Sequence, residues 1–260
     1  MQIFISFLMM FLILILPLRV SAGFVAYRIA KTYIVVGMDS YSGFNPSDQT
    51  CRVAVLRDTH IFAYEEVDTS APQVRLANIA KEVLNMNPDA TTGVLLKAWI
   101  TMAKLELKDL LTNNPVTNNP DKALTNNNQN GALPRVPLAR GFVGEVKATG
   151  SRWSLGEIAK MGQVEAKWDD TLYLNQKPKN LFFSRGQHGN LIDRVFAETG
   201  MKVADDMNSD ATTMEQLIQY VIQHTPDPKT IGGVPIVVAL QYGTGIHWFA
   251  GADQCPRQPT

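Results

Sequence analysis

A hydroxyl or thiol on the first residue of a chain, beside that residue's own free α-amine, is a compact nucleophile–base pair able to attack an amide carbonyl. The stretch RVSAGFVAYRI, residues 19–29, bears on whether this chain carries one. It follows the apolar run IFISFLMMFLILILPL, and Val20-Ser21-Ala22 puts small residues where a signal peptidase reads, which sets the cut after Ala22. The mature chain would then begin at Gly23, followed by Phe24, and neither has a side-chain oxygen or sulfur. A cut one residue earlier would expose Ala22, and only cleavage after Val20 would present the Ser21 hydroxyl.

Other chemistry-bearing residues are sparse. Asp39 ends an apolar β-type run, where an aspartate ordinarily caps the following turn. His60, His188, His224 and His247 fall on separate elements with no metal-ligand spacing. Arg185-Gly186-Gln187-His188 reads as a plain turn and cap ahead of a helix, with anion binding at the helix N-terminus as the alternative. No GxSxG, Walker A or GxGxxG pattern occurs, and nothing calls for a metal or cofactor. The two cysteines, Cys51 and Cys255, permit a single disulfide in an oxidising compartment; the alternative is two buried thiols.

The bulk numbers narrow the partners. Lys plus Arg, 24, equals Asp plus Glu, 24, and no basic–aromatic run stands out, which argues against nucleic acid. An apolar share of 45% with 18% charged residues fits one folded domain with a full core. The run at residues 3–18 is shorter than the roughly 20 residues a membrane helix needs and contains Pro17. Residues 1–22 therefore read as a signal peptide and 23–260 as one secreted or periplasmic domain. The leader has no basic n-region, so an uncleaved anchor, the only route to the membrane here, stays open.

Four β-type runs open the domain: FVAYRI (24–29), YIVVGMDS (33–40), CRVAVL (51–56) and HIFAYEEV (60–67), spaced as two hairpins around the turn-rich YSGFNPSDQT. Leu76, Ala80, Val83 and Leu84 then mark a helix beginning near Pro72. Leu95, Ala98, Met102 and Leu105 mark a second, over about 92–111, with Lys97, Lys104 and Lys108 opposite. The Asn/Pro-rich segment 112–131 reads as a surface loop. ARGFVGEVKA and RWSLGEIA form a third hairpin about Thr149-Gly150-Ser151, and a less regular stretch runs on to Leu174. Helices follow near 188–199 and 211–224; in the latter Met214, Leu217, Ile218, Val221 and Ile222 hold helical spacing. VPIVVALQY and IHWFAGA close the chain as a hairpin about Gly243-Thr244-Gly245. Hairpins and helix pairs in this order predict an α+β fold, a four-layer αββα sandwich of two antiparallel sheets.

With that order in hand, YIVVGMDS, SDQTCRVAVLRDTHIFAY and IGGVPIVVALQYGTGIHWFAGADQC resemble the proteasome-type N-terminal-nucleophile hydrolases, and most closely exported relatives of proteasome β subunits. The resemblance covers residues 23–255 in element order. It implies a threonine at the processed N-terminus as nucleophile, an Asp on the second strand and a Lys on the third. Carried over, the Asp falls on Asp39 and the Lys on Arg52. The nucleophile falls on Phe24, fifteen positions before Asp39 (39 − 24 = 15), or on Gly23 in a register one residue longer. Gly23, Phe24, Asp39 and Arg52 are then relic positions. The expectation is a pseudoenzyme acting on a protein or peptide by binding or assembly, its oligomeric state open. The alternative is a peptidase or amidohydrolase activated by atypical processing at Ser21.

Overall fold

Apolar residues alternate along the first two strands and give each of them two buried faces. Val25, Tyr27 and Ile29 of β1 (Val25–Ile29) share a side with Ile34, Val36 and Met38 of β2 (Tyr33–Asp39); Ala26, Tyr33 and Val35 occupy the other. Successive strand side chains point to opposite faces, so a strand buried throughout must lie in a sheet covered on both sides. The structure is a computed structural model that describes residues 23–40, 51–56, 59–66, 76–86, 88–113, 136–161, 163–167, 182–184, 191–224 and 231–255. Residues 1–22, with Ser21 and Ala22, YSGFNPSDQT up to Thr50, residues 114–131 of the Asn/Pro-rich segment and Arg185 to His188 lie outside that set.

β1 and β2 pair antiparallel, with Val25 opposite Met38. β9 (Pro235–Gln241) joins the far side of β2, β10 (Gly245–Ala250) follows it, and β8 (Phe182–Ser184) flanks β1, giving the order β10-β9-β2-β1-β8. The second sheet is β3 (Val53–Leu56), β4 (His60–Glu66), β5 (Val136–Lys147), β6 (Gly150–Met161) and β7 (Gln163–Lys167), antiparallel in chain order. Between the sheets lies a core in which the Tyr27 ring stacks on Phe142 with centroids 4.4 Å apart. Helices α1 (Leu76–Met86) and α2 (Thr92–Asn113) cover the outer face of the second sheet. Helices α3 (Leu191–Thr199) and α4 (Met207–His224) cover the outer face of the first. The described residues thus form a mixed α+β fold of two antiparallel sheets and four helices.

Several boundaries differ from the sequence reading. Thr112 and Asn113 belong to α2, not to the loop. The third hairpin turns on Ala148 and Thr149, since Lys147 pairs with Gly150. Strands β7 and β8 lie where no strand was expected or were too short to read. Helix α4 starts four residues early because Asp206 caps it, its Oδ1 accepting the Ser209 N–H at 2.8 Å. The largest correction is on α2. Its core face is Leu95, Leu96, Trp99, Ile100, Ala103 and Leu107, while Leu105 is 62% exposed. Apolar residues surround this helix, so periodicity alone could not choose a face. The sheet chose: Gly141 and Gly156 leave room beneath Trp99 and Ile100, and a Cβ at Gly141 would come within 2.6 Å of the Trp99 ring.

Cys51 and Cys255 form a disulfide with Cα atoms 4.8 Å apart. It ties the lead into β3 to the turn Ala252–Gln254 beyond β10, across the middle core. Among the described residues no helix is long and apolar enough to cross a membrane.

Candidate functional site

β2 ends at Asp39, where the start of β1, the lead into β3 and the segment entering β9 converge. Asp39 is fully buried, and both its carboxylate oxygens accept hydrogen bonds from these neighbours. Its Oδ1 accepts the Phe24 N–H at 2.6 Å and the Arg52 Nη2 at 2.5 Å. Its Oδ2 accepts the Gly232 N–H at 3.1 Å, and its carbonyl accepts Arg52 Nη2 at 2.6 Å. Next to it the Ser40 Oγ accepts the Val234 N–H at 2.9 Å. A buried carboxylate is tolerable only with partners of this kind. Burial works against the Arg52 charge, but the Asp39 charge and hydrogen bond outweigh it and hold the guanidinium protonated. A guanidinium that stays charged cannot accept a proton from a nucleophile.

Gly23 and Phe24, just ahead of β1, face opposite ways. The Phe24 ring is buried with the α3/α4 layer. Gly23 is on the opposite side, and a Cβ built there would collide with the Arg52 guanidinium. The space where a side chain at position 23 would begin is filled by Arg52. Gly23→Ala is accordingly expected to destabilise the protein by about 1–3 kcal/mol, the usual effect of overpacking. In an Arg52→Lys background the loss should shrink; a double-mutant cycle by urea denaturation measures that coupling.

The resemblance did not point to the charges that adjoin this pair. Glu65, Arg140 and Glu157 stand in register across β4, β5 and β6. Arg140 Nε donates to Glu157 at 2.6 Å, whereas its Nη1 is 3.4 Å from Glu65. Burial, only partly offset by Arg140 and Arg52, pushes the Glu65 carboxyl up to about 7. Burial also drives the Tyr27 hydroxyl far above its ordinary range, so it remains a phenol. Folded Glu65 keeps its proton where unfolded Glu65, near 4.5, has lost it. Stability from this group is therefore present below about 4.5 and is lost as pH rises towards 7, by roughly 3 kcal/mol at about 1.4 kcal/mol per pH unit. Glu65→Gln should gain on the native protein between pH 5 and pH 8 in urea melts at the two pH values; parallel losses would contradict the assignment.

A second buried ion pair is structural. Arg28 Nε donates to Asp210 Oδ2 at 2.5 Å, Tyr33 OH donates to the same oxygen at 2.6 Å, and the Ala204 N–H donates to Oδ1 at 2.8 Å. Arg28 and Asp210 are 182 positions apart, so no local pattern could pair them. Of the histidines, His224 lies against the Tyr220 carbonyl and His247 against Thr244; among the described residues no three metal-ligating side chains cluster. The site can bind and rigidify the converging segments. At the position facing Arg52 it offers no nucleophile. No protein-family model and no curated protein matches this chain.

Proposed function

We propose that this chain is an exported, proteasome-subunit-like protein on the N-terminal-nucleophile hydrolase scaffold, without peptidase activity, acting by binding or assembly. One observation carries the reading: the position facing the Asp39–Arg52 pair is a glycine, and Arg52 occupies the start of any side chain there. In the register one residue longer, that position is where the resembled enzymes carry the attacking hydroxyl, and a lysine stands in them where Arg52 is. Two antiparallel sheets between two helix pairs support the scaffold. The apolar run before Gly23 and the Cys51–Cys255 bond support export.

The test is to treat the purified mature protein with an electrophilic probe directed at N-terminal threonine and weigh it intact. No adduct is expected, and N-terminal sequencing should read Gly23 first. Labelling of the first residue, or a chain starting at Ser21 that turns over an amide, would replace this reading with a working hydrolase.

A further inference from the structure

His60 opens β4 at the end of the sheet remote from Asp39, and Glu145 of β5 stands opposite it. Phe62, two residues on, and Val143 belong to the core under α1 and α2, so alternation turns His60 and Glu145 towards those helices. Both are buried, at 2% and 4% exposure. His60 Nδ1 is 2.9 Å from the Thr59 hydroxyl. Among the described residues its Nε2 has no hydrogen-bond partner, and neither has Glu145 Oε2. The gap from His60 Nε2 to Glu145 Oε1 is 3.7 Å, and that oxygen is already held by Lys147 Nζ at 2.6 Å. Two unpartnered buried polar atoms side by side are rare in a native interior and call for a reason.

We propose that His60 and Glu145 form an acid-sensitive catch for the start of α2: the neutral imidazole lets the α1–α2 connection pack on the sheet, and protonation releases it. The groups facing His60 are Glu145 and Lys147 from β5 and Asp89 from the connection; Arg152 of β6, opposite Glu145, is exposed. Burial penalises the imidazolium most, Glu145 opposes that, Lys147 adds to it, and the Ala90 backbone and then Asp89 oppose it; the balance holds His60 below the ordinary histidine range. An opened connection would return the ring to water, where it takes a proton near pH 6.5. The packed form therefore loses ground as pH falls through about 6.5 and keeps it above. The start of the helix is itself held to this sheet, since Thr92, its first residue, shares a buried hydrogen bond with Ser154 of β6 at 2.9 Å.

Hydrogen exchange of the full chain, corrected for intrinsic rates, tests this at pH 7.5 and pH 5.0. Amides at 88–96 should exchange about five- to thirtyfold faster at the lower pH, while α4 keeps its protection. His60→Gln should abolish the difference. Glu145→Gln, which removes the opposing charge, should enlarge it. An unchanged rate at 88–96 in the native protein, or the same acceleration in His60→Gln, overturns the catch. If His60→Gln does not fold, an NMR titration of the native protein decides: a His60 midpoint well below 6.5 supports the catch, and one at or above 6.5 removes it.

Discussion

Asp39→Ala will destabilise the protein by about 3–5 kcal/mol, read from urea denaturation at pH 7. Among the described residues, the carboxylate lost is the only side-chain counter-ion within hydrogen-bond reach of the Arg52 guanidinium, which is 4% exposed and cannot shed its charge. Among the described residues Arg52 Nε has no partner, so the variant would bury a cation with its charged partner gone and the Asp39 carbonyl left to accept from it. The N–H groups of Phe24 and Gly232 lose their acceptor in the same step. Removing both charges together avoids the buried orphan. Asp39→Ala combined with Arg52→Met should recover most of the loss, as hydrophobic replacement of buried ion pairs commonly does. A double variant no more stable than Asp39→Ala alone would mean that the pair itself, not its half-removal, matters.

Replacing Cys51 and Cys255 with serine is expected to lower stability by about 2–5 kcal/mol. The bond closes a loop spanning 204 residues, which places it at the upper end of the chain-entropy relation, about 5 kcal/mol before denatured-state structure reduces the effect. Native and variant denaturation midpoints measure it, and reduction of the native protein should reproduce it. The position of the bridge adds a local consequence. Cys51 immediately precedes Arg52, so the bond anchors the backbone that delivers the guanidinium to Asp39. The disulfide and Asp39→Ala losses should therefore fall short of additivity. Simple addition would show that the bridge and the ion pair stabilise the fold independently.

The two predictions rest on residues of different visibility. Both cysteines could be paired on paper because there were only two of them in a chain that reads as exported. Asp39 and Arg52 were singled out by a resemblance, and the structure brings them within 2.5 Å. Glu65 was not singled out, because its proton affinity comes from burial and from Arg140, 75 residues away. Sequence spacing gives His60 no ligand set, and its partner is set by the β4–β5 register.

What the sequence determined by itself is local. Period-two apolar runs and short turn-rich links specify hairpins such as β1–β2 and β9–β10, because strand pairing across a few residues is settled by side-chain alternation and turn chemistry. Helical spacing of Met214, Leu217, Ile218 and Val221 specifies the buried face of α4, where polar residues fill the other side. The lack of a hydroxyl at both Gly23 and Phe24 needs no structure at all. Tertiary packing decided the rest. It turned Gly23 rather than Phe24 towards Arg52, seated Trp99 and Ile100 over sheet glycines, and joined Arg28 to Asp210. These outcomes depend on which surfaces meet and how much room each leaves, and burial sets the price of every charge enclosed there. Neither quantity exists until the layers have closed.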